Sequence, residues 1–102
     1  MTTPEPDADA VLARVTPGPF DPEANEEFEL TRRLLLQVLG VHSARIWDLE
    51  HADPQDPEAL AAANAAQAET ARLVRTLDPD DRVRVAEVRA ASAAFLREAR
   101  AR

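Results

Sequence analysis

Apolar residues recur at helical spacing along most of the chain. Leu35, Val38, Leu39, His42, Ile46 and Leu49 keep one 3.6-residue phase through Gly40. That phase predicts one long helix over about 22–51, with Gly40 as the place for a kink. A rival reading ends the helix at Gly40 and restarts it after Ser43. A second helix is predicted over about 57–77. Its first half, from Ala59 to Ala68, has high helix propensity and little bulk, so it can approach a neighbour closely. A third is predicted over about 79–100, with Val85, Val88, Ser92, Phe95, Leu96 and Ala99 as its apolar stripe. No strand-like alternation of useful length occurs.

Three short runs share one grammar: Asp21-Pro22-Glu23-Ala24, Asp56-Pro57-Glu58-Ala59 and Asp78-Pro79-Asp80-Asp81. An aspartate can cap the free N–H groups of a first turn. Proline fits the first helical position, and further acids suit the positive end of the helix dipole. The three runs therefore mark three helix starts. Acid-first pairs four residues apart (Glu29 with Arg33, Asp80 with Arg84, Glu98 with Arg102) add weak support on solvated faces. Short breaks between the helices favour antiparallel neighbours. The expected fold is all-α, an antiparallel three-helix bundle over 21–102. Residues 1–20 hold Pro4, Pro6, Pro17 and Pro19 and read as an acidic, mostly flexible, partly disordered arm. Its stretch from Asp7 to Val15 could form a short extra helix, docking through Val11, Leu12 and Val15.

Composition narrows the chemistry. The 102 residues form one domain. There is no cysteine, which removes disulfides, thiol catalysis and thiolate metal ligation. All 12 basic residues are arginine, so Schiff-base chemistry and a phosphate-binding P-loop lysine are absent. Abundant alanine and the use of arginine for lysine suggest a GC-rich coding sequence. No apolar run is long enough to span a bilayer, and the acidic N-terminus is unlike a signal peptide, so a cytoplasmic location is expected.

Six of the eight residues from Leu34 to Val41 are large aliphatics pointing nearly all round the helix. A small bundle needs only about a three-in-seven apolar face. Either this helix is central and covered by the other two helices and the arm, or one side of it pairs with a second chain. Leu36, Gly40, Ser43 and Trp47 fall on one line, with the small pair forming a dent and Trp47 at its end. Tryptophan is favoured at interface hot spots, while a lone tryptophan in a small domain is also a common core residue. The candidate interaction residues are Leu34, Leu35, Leu36, Val38, Leu39 and Trp47.

Other chemistry is thin. Asp48 and His51 share a helical face, but a metal site needs three or four ligands, and His42 lies roughly 180° away around the helix. His42 reads as a core or boundary residue on the apolar stripe. Adjacent Ser43 points about 100° from it, so the two make no catalytic pair. The acids Glu26, Glu27 and Glu29 read as early-turn residues. No enzyme activity, metal or cofactor is expected. Two positions after Trp47 stands Leu49, so the Trp-x-Gly turn of small secreted helical hairpins is absent.

The net charge of −7 is unevenly spread. Residues 1–31 carry eight acids and one arginine, whereas residues 82–102 carry six arginines and two glutamates. Arg82, Arg89, Arg97 and Arg100 are candidates to face an acidic partner. Nucleic acid is disfavoured as that partner, because the whole chain repels a polyanion and offers no interleaved aromatics. The expectation is a small, non-enzymatic protein-interaction module that packs helix on helix, as a homodimer or as an accessory or regulatory subunit. The alternative is a small regulator that contacts nucleic acid through the arginine-rich third helix.

Overall fold

A computed structural model describes residues 21–102. The arm expected over 1–20, with its short helix, lies outside the described residues. Three helices make up all the regular structure described: α1 (Pro22–Glu50, 29 residues), α2 (Pro57–Thr76, 20 residues) and α3 (Arg82–Ala101, 20 residues). None of them is long and apolar enough to cross a membrane.

The first two helix starts form through local chemistry. The Asp21 side chain accepts from the backbone N–H groups of Glu23 and Ala24 at 3.0 and 3.3 Å. Asp56 accepts from Ala59 N–H at 3.1 Å. In both, proline follows at the first helical position, where its missing N–H costs nothing.

The third start is displaced from Pro79 to Arg82. Asp78 spends its side chain on the N–H of Asp80 at 2.9 Å, and Asp81 N–H donates to the Asp78 carbonyl at 3.1 Å. These bonds close a turn around Pro79. Asp81 then caps α3 by accepting from Arg84 N–H at 3.0 Å. Two aspartates compete for one role, and the later one caps the helix. The shift also leaves Asp80 in the turn. Arg84 reaches forward to Glu87 at 3.4 Å rather than back to Asp80. Of the other expected pairs, Glu98 and Arg102 meet at 3.5 Å, whereas Glu29 and Arg33 stand in solvent without meeting.

Helix α1 runs unbroken through Gly40, so the reading that splits it there is corrected. At about 43 Å it is the longest element, and it is the one that both others use. It packs against α2 and against α3, while no Cα of α2 lies within 8 Å of a Cα of α3. The core is therefore two seams on one helix. Thr31, Leu35, Val38 and Ile46 of α1 are buried, with Ala63 and Thr70 of α2 and Val85, Val88, Ser92 and Leu96 of α3. The two buried threonines satisfy their hydroxyls within their own helices. Thr31 donates to the Glu27 carbonyl at 2.7 Å and Thr70 to that of Ala66 at 2.9 Å. Neither leaves an unpaired polar group in the core.

Cross-helix contacts set the register. Along α1 and its cap, Asp21, Glu27 and His42 meet Arg82, Arg89 and Phe95 of α3, in the same order along both helices. Ser43 of α1 accepts a 2.7 Å hydrogen bond from Gln67 of α2. Where α2 presents only alanines, a groove of about 500 Å³ opens toward α3. His42 and Arg45 line its α1 side, Ala62 and Ala66 line the α2 side, and Phe95 and Ala99 line the α3 side.

Candidate interaction surface

The face of α1 that its neighbours leave exposed is the candidate site, with Ser43 on its α2 edge, where Gln67 reaches it. At 100° per residue, Leu36, Gly40, Ser43 and Trp47 fall within an arc of about 60°. All four are exposed; Leu36 retains 47% of its surface and Trp47 61%. This places Trp47 on the surface and corrects the core reading of it. The reason lies in the packing: the side of α1 that both seams use is centred on Leu35, and Trp47 sits well round the helix from it.

The candidate residues divide. Leu35 and Val38 are buried inside the chain, at 2% and 6% exposure, and pack in the core rather than toward a partner. Leu34 and Leu39 are half-buried. Leu36 and Trp47 remain available. The basic set divides as well. Arg82 forms an ion pair with Asp21, and Arg89 lies 3.6 Å from Glu27. Both arginines are spent along the α1–α3 seam, and the Nε of Arg89 is buried without a hydrogen-bond partner. Arg97 and Arg100 stay exposed.

Trp47 is held in place by its neighbour one turn on. The His51 imidazole stacks on the indole, with centroids 3.8 Å apart and planes 19° from parallel. His51 Nδ1 lies 2.7 Å from the Trp47 carbonyl oxygen. The sequence reading missed this pair, although the i,i+4 spacing of an aromatic and an imidazole is its signature. His51 thus serves Trp47. Among the described residues no three His, Asp or Glu side chains converge as metal ligands would.

Two further residues escaped the sequence reading. Arg32 and Glu50 lie on one margin of the exposed stripe, both in solvent, and no ion pair engages either among the described residues. Leu30, at 40% exposure, lies on a second hollow near the start of α1, with Pro79, Arg82 and Val85 across it. Val83 is exposed singly, which is ordinary for a surface.

Electrostatic perturbation is modest and lies away from this face. The N–H of Ala24 holds the Asp21 carboxyl below its ordinary range, and the Arg82 guanidinium adds to the effect. Hydrogen bonding from Arg72 lowers Glu69 in the same way. Burial against Phe95 lowers the His42 pKa, favouring the neutral ring. No family model, curated protein or solved structure matches the chain.

Proposed function

We propose that this protein is a non-enzymatic interaction module that binds another protein by helix–helix packing on the outward face of α1. In this reading α1, α2 and α3 form an antiparallel, up-down-up bundle. The contact order along α1 and α3 supports that arrangement, as does the Ser43–Gln67 bond near the first loop. The bundle displays one face of its central helix and covers the other.

The observation that carries the reading is the exposure of Leu36 and Trp47 on one stripe, with small residues between them. Two large apolar side chains bracketing a dent suit an incoming helix, and tryptophan is favoured at interface centres. The His51 stack adds to this. An indole already held in one orientation loses less freedom on binding. Exposed Arg97 and Arg100 would orient an acidic partner surface, whereas Arg82 and Arg89 are paired within the chain. Pairing weighs against a nucleic-acid role for α3, since four of the six arginines over 82–102 (Arg82, Arg84, Arg89 and Arg102) face carboxylates instead.

The test is the double variant Leu36→Glu with Trp47→Glu. Both residues are on the surface, so far-UV helicity and the monomer's melting midpoint should hold. Association should disappear, whether read as self-association by light scattering or as retention of a second protein that the unaltered chain binds. If both readouts match those of the unaltered chain, the reading is wrong.

A further inference from the structure

We infer that the partner on this face is a second copy of the same chain, packed α1 against α1, antiparallel, about a two-fold axis beside Val41 and His42. The inference rests on the docking face proposed above and names what occupies it.

Gly40 is the first observation. It sits in the middle of α1, in ordinary helical geometry, and a Cβ built on it meets nothing within 4 Å. The packing of the described residues therefore gives no reason for glycine there, although glycine weakens a helix interior relative to alanine. A backbone approaching from outside does give one, since glycine allows the closest approach.

The second observation is that the stripe matches itself. In a two-fold, antiparallel helix pair, each residue faces one at equal distance on the other side of the axis. With the axis beside Val41 and His42, Leu36 of each copy lies against Trp47 of the other. The small residues Gly40, Ser43 and Ala44 then stack at the crossing, where bulk would hold the helices apart.

Charge is the third. A two-fold perpendicular to the helices keeps each margin of the stripe on its own side. Arg32 and Glu50 share one margin, are both exposed, and stand within about one residue of equal distances from the axis, which long side chains span. Each Arg32 therefore meets Glu50 of the second copy, and the pair forms twice. A parallel pairing has its two-fold along the helices and carries this margin to the opposite side, so Arg32 would meet no Glu50 and the match would be lost. A heterologous helix would have no need of this internal match.

The experiment is light scattering after size exclusion, from about 1 µM to about 1 mM, where weak self-association becomes visible. The expected species has twice the 11.2 kDa chain mass. Arg32→Glu and Glu50→Arg should each weaken the dimer by about tenfold or more, because each turns two attractions into two repulsions. Mixing the two variants should restore it, since every facing pair in the mixed dimer again carries opposite charges. The double variant should restore it as well. Glu50→Arg places a cation at a helix C-terminus, where it is favoured, so the variant should fold.

A monomer at the highest concentration overturns the inference. So does a dimer indifferent to both single reversals, or a mixture that fails to recover. A monomer that nonetheless loses a different protein through Leu36→Glu and Trp47→Glu removes the second copy and leaves the docking face standing.

Discussion

The Trp47 indole lies flat on the His51 imidazole one helical turn further along α1, 3.8 Å between centroids, and both rings face solvent. Stacking of this kind fixes a side chain that would otherwise sample several rotamers. His51→Ala should therefore free the indole without unfolding anything, with a stability change within about 0.5 kcal/mol. Trp47 is the chain's single tryptophan, so its fluorescence reports on it alone. Anisotropy should fall in the variant, and association through this face should weaken several-fold. Unchanged anisotropy would mean that the stack does not order the ring.

Adjacent leucines on α1 should behave as opposites. Leu35 is 2% exposed and Leu36 47%. Leu35→Ala removes a packed side chain and should cost about 2–5 kcal/mol in denaturant unfolding. Leu36→Ala should change monomer stability by less than about 0.5 kcal/mol and act on association instead. Equal costs at the two positions would show that the core side of α1 is elsewhere.

The aspartates should rank by the bonds they make. Asp81→Ala removes the cap of α3 and should cost about 1 kcal/mol. Asp78→Ala loosens only the preceding turn and should cost less. Asp21→Ala loses two N–H bonds and the Arg82 pair together, so it should be more harmful than Asp21→Asn, which can still cap. Thermal unfolding of the four variants gives the order directly. A cost at Asp78 as large as at Asp81 would return the start of α3 to Pro79.

His42 packs against Phe95 with its ring centroid 4.9 Å away, and burial lowers its pKa in the folded state. The unfolded chain therefore takes up the His42 proton at a higher pH than the folded one. This contribution is complete above the ordinary histidine range near 6.5 and is lost as pH falls through that range toward the lower folded value. Stability should decline as the solution is acidified from neutrality, and His42→Gln should flatten that decline. The Asp21 carboxyl, also depressed, acts only further down, below the ordinary carboxylate range. If the variant shows the same slope between pH 7 and pH 5, another group carries it.

What the chain reveals in one dimension is what it decides locally. The starts of α1 and α2 are legible because cap, proline and acid lie within four residues. The start of α3 is ambiguous for the same reason: Asp78 and Asp81 both have local claims, and only the turn geometry chooses. The partition of Leu34, Leu35 and Leu36 is not local at all. It depends on the angle at which α2 and α3 meet α1, which the apolar run itself does not encode. Arg82 and Arg89 show the same limit, because Asp21 and Glu27 become their partners only once α1 and α3 are in register. Size alone does not place Trp47, since a lone tryptophan suits a core as well as an interface. The alanines of α2 lie elsewhere on α1 and leave it uncovered.

Gly40 separates folding from association most cleanly. Its backbone is ordinary helix and no described residue crowds it, so Gly40→Ala introduces a methyl group that meets none of them. Alanine is better than glycine in a helix interior by about 1 kcal/mol, chiefly because the unfolded chain loses freedom. The variant monomer should therefore be more stable by roughly that amount, read from the denaturant midpoint at constant m-value. The same methyl group would stand at the crossing of two α1 helices and push their axes apart, so self-association should weaken while stability rises. Gly40→Leu should exaggerate the second effect. Stability and association rising together would mean that no backbone approaches at Gly40, and the crossing would have to lie elsewhere on α1.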